Sequence, residues 1–284
     1  QALASALPFA RFGLRVRWMA RQLFGDEVSL FIQDGVALIT MVSTTGEFAW
    51  GTQRAEHRFN PVTVQALWEA LDAVEQRAKE ASVLVVANEG KYWSNGMDLK
   101  FMDAHSPAEG KEHSHRTNEL LVRIACFPLP TVAALCGHWT ATGGMAGLCF
   151  DYRVMASDRG YFFIPGVDLG IVYAPVNVEL MKAKLPPNMH REVILFNSQR
   201  WVGEELAARG LVDAAVPAAE VLAKALELAA SLRPKGTGPA RKALGSIKRE
   251  LYRPVLEALV QGGGMNYSGR TTGVERAAPP ESKL

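Results

Sequence analysis

The order of hydrophobic and polar residues along this chain predicts a layered α/β protein. Val28–Gln33 and Val36–Val42 flank Asp34-Gly35, a dipeptide typical of two-residue hairpin turns. Two later apolar runs, Val83–Ala87 and Thr131–Cys136, indicate buried strands. Each run breaks into a Gly-containing turn and is followed by a helical pattern. Alternating strands and helices of this kind favour an α/β fold.

Helical periodicity fills the segments between the strands. Pro61 begins a predicted helix that runs to about Ala78, and a second helix is predicted from Pro107 to about Ala125. Short strands are predicted near Tyr152–Ala156 and Tyr161–Ile164. After Ala174 the pattern is almost wholly helical, and it predicts helices over Val176–Ala183, Met189–Asn197, Glu204–Ala208, Ala219–Leu232 and Pro239–Leu259.

Composition indicates a soluble globular protein with a sizeable core. The 284 residues are 48% hydrophobic and 21% charged, and the formal net charge is only +2. This balance does not suggest nucleic acid as a partner, and no run reaches the roughly 18 apolar residues that a membrane span needs. The three cysteines, Cys126, Cys136 and Cys149, lie in apolar runs without metal-like spacing. We therefore expect buried free thiols.

The two ends of the chain carry conflicting targeting signals. Ser282-Lys283-Leu284 is the tripeptide read by the peroxisomal import receptor, and it predicts a peroxisomal location. Residues 1–24 contain four arginines and no acidic residue, and their apolar residues give an amphipathic helical pattern. That composition is typical of a mitochondrial transit segment or a basic surface helix, so a mitochondrial location is the alternative.

The two Gly-containing turns, Gly90–Leu99 and Gly137–Gly144, are the candidate chemistry. The first N–H groups of a helix have no acceptor within that helix, so a turn that enters a helix leaves amide donors unpaired. Two such donors that converge on one point would hold a carbonyl oxygen and stabilise negative charge that develops on it. An enzyme that forms enolates of thioesters needs this arrangement.

These turns and five further segments resemble the crotonase superfamily of enoyl-CoA hydratases and isomerases. The chain is most similar to Δ3,Δ2-enoyl-CoA isomerases, especially the peroxisomal type. The segments that carry the resemblance, in addition to the turns, are Glu56–Pro61, Asp151–Met155, Asp158–Gly160, Val167–Ile171 and Gly203–Asp213. They occur in the family's order between about Val28 and Pro217.

The resemblance implies a spiral of ββα units followed by a C-terminal helical region used for oligomerisation. We accordingly divide the chain into a basic N-terminal extension (1–27), a crotonase core with the acyl-CoA site (28–200), a helical region (201–270) and a tail with the targeting tripeptide (271–284). Relatives commonly form trimers or hexamers, so a homo- or hetero-trimer is expected. The implied reaction, a step of unsaturated fatty-acid β-oxidation, moves a double bond within a fatty acyl-CoA and needs no metal or other cofactor, because CoA is part of the substrate.

Family positions transfer to this chain residue by residue. The resemblance makes the backbone amides of Met97 and Thr142 the oxyanion hole. The residues implied in substrate binding are Arg58, Phe59, Asn95, Gly96, Trp139 and Gly143, with Arg58 and Phe59 in the segment that lines the CoA nucleotide. Asp98 is expected to support the start of a helix, and Asn60 is expected to cap another.

The chain departs from the family where proton transfer occurs. The positions at which hydratases and isomerases carry glutamates are Met145, Gly166 and Ala174 here, and none of these transfers a proton. Asp168 is the candidate base, since a carboxylate in an apolar pocket has a raised pKa. Glu179 is a second candidate. The alternatives are a catalytically silent crotonase-fold subunit of a larger, mitochondrial assembly, and another thioester reaction such as hydrolysis.

Overall fold

The computed structural model describes residues 22–42, 56–88, 90–196 and 199–262. Ten strands lie within these residues, and their order along the chain is β1 (Gln22–Phe24), β2 (Val28–Gln33), β3 (Gly35–Met41), β4 (Ala81–Asn88), β5 (Tyr92–Ser94), β6 (Thr131–Leu135), β7 (His138–Thr140), β8 (Tyr152–Ala156), β9 (Phe162–Phe163) and β10 (Ala214–Val216). The predicted basic segment up to residue 21 and the predicted tail from residue 271 lie outside the described residues.

Nine α-helices lie within the same residues. They are α1 (Pro61–Gln76), α2 (Leu99–Ala104), α3 (Pro107–Ala125), α4 (Thr142–Cys149), α5 (Pro175–Lys184), α6 (Gly203–Ala208), α7 (Val221–Leu232), α8 (Gly238–Leu251) and α9 (Arg253–Val260). None of the described helices is long and apolar enough to cross a membrane.

The strands form two sheets joined by a repeating ββα path. The larger sheet has the order β1-β2-β3-β4-β6-β8-β10, antiparallel from β1 to β3 and parallel from β3 onward. The smaller sheet is parallel, with the order β5-β7-β9. Each large-sheet strand from β4 to β8 is followed by a small-sheet strand and then by helix. The predicted spiral of ββα units is confirmed.

Burial follows from this layering. All residues of β4 and β6 are buried, because helices cover both faces of the parallel sheet. Alternate residues point to opposite faces. Leu84 and Val86 join the main core, whereas Val83 and Val85 pack against the face covered by α7. The thiols of Cys126 and Cys149 are buried and free, as predicted, whereas Cys136 is only half-buried.

The structure corrects several predicted boundaries. The helix predicted over Pro239–Leu259 is two helices that meet at Tyr252, because Pro254 has no N–H with which to continue the first. The helix predicted over Met189–Asn197 is a 3-10 turn followed by a π-helical turn at Arg191–Leu195. Short strands of three residues, such as β5, β7 and β10, escaped prediction because they contain too few residues to show a period.

The predicted division of the chain at residues 27 and 200 does not match the sheet. Gln22–Phe24 pairs antiparallel with β2, so the core begins before residue 28. The C-terminal strand β10 pairs with β8, and Trp201 bridges to Phe162 of β9. The segment from residue 201 therefore completes the core, and α7 covers the outer face of its large sheet.

Candidate active site at the junction of two loops

The loop from Asn95 to Asp98 is held by the backbone of Phe59. The Phe59 N–H donates to the Gly96 carbonyl at 2.8 Å, and the Asp98 N–H donates to the Phe59 carbonyl at 3.0 Å. In a trans peptide the carbonyl and the following N–H point in opposite directions. The Gly96 carbonyl points toward Phe59, so the Met97 N–H points away from it. Within the described residues, this N–H has no acceptor.

The first turn of α4 presents a second unpaired donor. The Ala141 carbonyl accepts the Met145 N–H at 3.1 Å, as in the first turn of an ordinary helix. The Thr142 N–H therefore points out of the N-terminal end of α4, and it too lacks an acceptor among the described residues. The Ala141 N–H donates to the Phe163 carbonyl at 2.9 Å, which ties this helix end to β9.

The two loops are in direct contact. A Cβ placed on Gly96 would lie 3.0 Å from the Thr142 nitrogen, and one placed on Gly143 would lie 2.4 Å from the Ser94 carbonyl oxygen. Gly96 also has φ +82°, which side chains with a Cβ rarely adopt. Glycine at both positions is therefore a requirement of this close approach. Both unpaired amides belong to a single junction.

Buried hydroxyls fix this junction further. Ser94 Oγ donates to the His57 carbonyl at 2.7 Å and accepts the Gly96 N–H at 3.3 Å. Thr140 Oγ1 donates to Asn95 Oδ1 at 2.6 Å, which joins the first loop to β7. Asn95, predicted to bind substrate, thus has its side-chain oxygen engaged in holding the two loops together.

Arg58 is tied to the loop that carries Met97. Its Nη1 donates to the Met97 carbonyl at 3.1 Å, and its Nε pairs with Glu56 Oε2 at 2.6 Å. The prediction for Arg58 was contact with the CoA nucleotide. In the structure its guanidinium braces the loop, and the contribution of Phe59 is its backbone, because its side chain lies in the core.

Both predicted helix caps are confirmed. Asp98 accepts the N–H of Lys100 at 3.0 Å at the start of α2, and Asn60 accepts the N–H of Thr63 at 2.9 Å at the start of α1. A buried histidine adds a support that the sequence did not reveal. His113 Nε2 donates to the Phe59 carbonyl at 3.1 Å, and burial lowers the pKa of its imidazole.

Trp139 and His138 lie in β7, the strand that leads into the second loop of the junction. Trp139, predicted to contact substrate, is fully buried, with its ring 4.3 Å from that of Phe162 and its N–H on the Met155 sulfur. It therefore packs in the core and offers no open surface to an acyl chain. His138 is also buried, with its ring 4.0 Å from Tyr161. Burial, with the charges of Lys91 and Arg200, lowers its pKa to about 4.

The positions considered for proton transfer do not form a buried acid–base site. Met145 and Ala174 are buried and apolar. Asp168 lies in an exposed turn beside exposed Val167 and Leu169, which contradicts the prediction of a carboxylate in a water-poor pocket. Glu179 pairs with Lys182 at 2.8 Å on the partly exposed face of α5, which is a surface ion pair and not a pocket base. Within the described residues, no group of three His, Cys, Asp or Glu side chains is arranged to hold a metal.

Comparison with known proteins identifies the family of this chain. A family model described as enoyl-CoA hydratase/isomerase matches residues 52–270. The chain belongs to the enoyl-CoA hydratase/isomerase family. Among curated members, it is 34% identical to enoyl-CoA delta isomerase 3 of Arabidopsis thaliana over 58% of this chain and 70% of that protein. It is 30% identical to the peroxisomal enoyl-CoA delta isomerase 2 of the same plant over 71% of this chain and 86% of the relative.

Solved structures of the family show the same fold. The human mitochondrial delta3-delta2-enoyl-CoA isomerase superposes with a TM-score of 0.67 at 21% identity, covering 83% of this chain and 86% of that one. A probable enoyl-CoA hydratase from Mycobacterium tuberculosis gives 0.71 at 24% identity, covering 84% and 93%. The predicted crotonase fold is confirmed.

Proposed function

We propose that this protein binds an enoyl-CoA thioester and moves its double bond from carbon 3 to carbon 2. The observation that carries the proposal is the pair of unpaired amides, Met97 and Thr142, at the junction of two loops. Removal of a proton from carbon 2 places negative charge on the thioester oxygen. Loss of one oxyanion donor raises barriers by about 3–4 kcal/mol in other enzymes, so two donors are a large part of the catalysis required.

The similarity to enoyl-CoA delta isomerases favours this reaction over hydration. Hydration requires an activated water, and Met145 cannot activate one. Isomerisation takes a proton from carbon 2 and returns one to carbon 4, so it is neutral in oxidation state. Because Met145, Gly166 and Ala174 supply no carboxylate, we propose that water accepts the first proton and donates the second, and that no cofactor is used beyond the CoA of the substrate. We also propose a trimer, to be checked by light scattering of the purified protein.

Two assays separate binding from turnover. A 3-enoyl-CoA is expected to become the conjugated 2-enoyl-CoA, followed by its new ultraviolet absorbance. Acetoacetyl-CoA tests the amides alone, because donors that hold an enolate oxygen increase the enolate absorption of the bound ligand without any protein base. Failure of both assays contradicts a thioester site altogether.

A second candidate function is a catalytically silent acyl-CoA-binding subunit. It is favoured by the absence of a carboxylate at Met145, Gly166 and Ala174 and by the exposure of Asp168. This function predicts a strong enolate signal with acetoacetyl-CoA and no conversion of 3-enoyl-CoA at high protein concentration.

The names of the relatives support a peroxisomal location, since two of the plant isomerases are peroxisomal. The mitochondrion is the alternative, supported by the similarity to the mitochondrial enoyl-CoA hydratase domain-containing protein 3 of mouse. Fluorescent fusions with and without Ser282-Lys283-Leu284 distinguish the two. Peroxisomal fluorescence that depends on the tripeptide supports the first location, and mitochondrial fluorescence supports the second.

A further inference from the structure

Tyr173 fills the space into which a side chain at residue 166 would extend. A Cβ placed on Gly166 would lie 1.9 Å from Tyr173 Oη and 2.1 Å from Cζ, which no real contact allows. The φ of Gly166 is not in the left-handed region, so a larger residue here conflicts with the Tyr173 ring and not with the backbone conformation. Among the three positions where the family carries glutamates, this one is physically blocked.

The Tyr173 hydroxyl is held in this position by hydrogen bonds to the backbone. It accepts the Gly166 N–H at 2.8 Å and donates to the Ile164 carbonyl at 3.4 Å. Burial raises the pKa of Tyr173 to about 12, with a further contribution from the charge of Asp168. The phenol is therefore neutral at physiological pH, and a neutral phenol does not remove a proton from carbon.

The blocked position borders the amide junction. Ile164 and Gly166 follow strand β9 in the chain. The carbonyl of Phe163, the last residue of β9, accepts a hydrogen bond from the Ala141 N–H, next to Thr142. The Ile164 side chain also lies against α4, 3.3 Å from where a Cβ on Gly144 would be. Residue 166 therefore follows, by two residues, a segment that contacts the start of α4, and the volume that its side chain would need is occupied by Tyr173.

We infer that Gly166 and Tyr173 are a matched pair in which the phenol occupies the place of a proton-transferring carboxylate and keeps that route closed. The functional part of this inference rests on the proposed thioester site. Opening the route requires two changes together, because a glutamate at 166 has no room until the tyrosine side chain is removed.

The functional test compares Gly166→Glu in two backgrounds. With Tyr173→Ala, the added glutamate is expected to raise kcat/KM on a 3-enoyl-CoA by at least about 30-fold, within the about 10²–10⁴-fold range of general acid–base catalysis. In the wild-type background, Gly166→Glu is expected to raise kcat/KM less than about 3-fold. The gained activity should fall at acid pH as the new carboxylate is protonated. The matched control is Val167→Glu with Tyr173→Ala, which adds the same charge one residue away in the exposed turn.

Packing is tested separately by stability. Gly166→Ala should lower the melting temperature in the wild-type background, because the new Cβ must displace the phenol, and should be near neutral with Tyr173→Ala. This double-mutant cycle does not depend on any ligand, so it distinguishes a wrong pairing from a wrong proposed function. The enolate signal of acetoacetyl-CoA, measured on all variants, reports whether the amide junction is intact.

Three outcomes would overturn the inference. Equal destabilisation by Gly166→Ala in both backgrounds shows that Tyr173 does not fill the space. Equal effects of Gly166→Glu in both backgrounds, with the enolate signal present, show that the phenol does not close the route. A loss of more than about 30-fold from Tyr173→Phe, a change that keeps the ring, shows that the hydroxyl is itself catalytic and not a substitute that closes the site.

Discussion

The amide side of the candidate site, residues 94–98 and 140–143, is mostly buried and is fastened by Ser94, Arg58 and Thr140. The turn 167–170, which contains the candidate base Asp168, is exposed at every residue. The first region offers peptide N–H groups, which every residue but proline supplies. Under the proposed function, the second would need one particular side chain. An oxyanion hole made of backbone amides therefore does not depend on the side-chain changes that remove a carboxylate.

The amide side is the stronger claim, and Gly96→Ala tests it with the largest expected effect. The new Cβ would lie 3.0 Å from the Thr142 nitrogen, closer than an ordinary contact, so we expect it to hinder access to that N–H. We expect a loss of about 10²–10³-fold in kcat, the cost of one oxyanion donor in other enzymes, together with loss of the acetoacetyl-CoA enolate signal.

Gly90→Ala is the matched control for that change. Gly90 has φ +88°, close to the +82° of Gly96, but its Cβ would meet nothing within 4 Å. Both variants thus carry the same backbone strain of about 1–2 kcal/mol. If they lose activity equally, strain and not occlusion of the amide is responsible, and the oxyanion interpretation is wrong.

Arg58 also belongs to the amide side, and Arg58→Met tests its role. A loss of about 10–100-fold in kcat/KM is expected, because hydrogen bonds from a charged donor contribute about 1.5–3 kcal/mol. If Arg58 braces the Met97 loop, the loss is the same for a CoA thioester and for a pantetheine thioester without the nucleotide. A loss confined to the CoA substrate would return Arg58 to its predicted contact with the nucleotide. Arg116→Met, which removes a half-exposed guanidinium of α3 that pairs with Glu119, is the control.

The sequence predicted the amide side because its signals are local. Strand, glycine turn and helix start follow one another in each loop, and Asn60 and Asp98 are caps recognisable from their positions before a helix. The strands β5 and β7, of three residues each, are too short to predict, although they bring the two turns together. Arg58 was predicted to bind substrate, and its contact with the Met97 loop was missed, as was the support from His113. Their partners are backbone carbonyls from distant segments, which no spacing in the sequence reveals.

For the proton-transfer side of the site, the sequence predicted only that the family's carboxylates are missing. Met145, Gly166 and Ala174 are visible in the sequence as missing carboxylates. That Tyr173, seven residues after Gly166, fills the space beside it depends on how the turn 167–170 folds back. Whether Asp168 is buried likewise depends on tertiary structure, and the prediction that it lies in a water-poor pocket was wrong.

Strand β7, on the amide side, also contains the buried histidine His138. Its burial predicts that the folded protein loses stability in acid. His138 has a folded pKa of about 4, below its ordinary 6.5, so the unfolded chain binds the proton more readily. Its contribution to stability is complete above about pH 6.5 and is lost as the pH falls toward 4. We expect about 1–2 kcal/mol of lost unfolding free energy at pH 5 relative to His138→Phe.

Urea unfolding of wild type and His138→Phe, at neutral pH and at about pH 5, measures that difference. His115→Phe, on a more exposed face of α3, is the control. An identical pH dependence in wild type and His138→Phe would show that His138 is accessible to protons in the folded state.

The smallest effect is expected on the exposed side, from Asp168→Asn. A side chain in an exposed turn has water around it, and water removes the desolvation that makes a carboxylate an effective base at neutral pH. We therefore expect less than about a 3-fold change in kcat on a 3-enoyl-CoA, against the roughly 10²–10⁴-fold loss that removal of a general base causes. The substitution keeps size and polarity, so the enolate signal of acetoacetyl-CoA should be unchanged. A 100-fold loss of turnover with that signal intact would mean that this turn closes over the substrate and buries Asp168, and the contrast between the two sides would then hold only for the free protein.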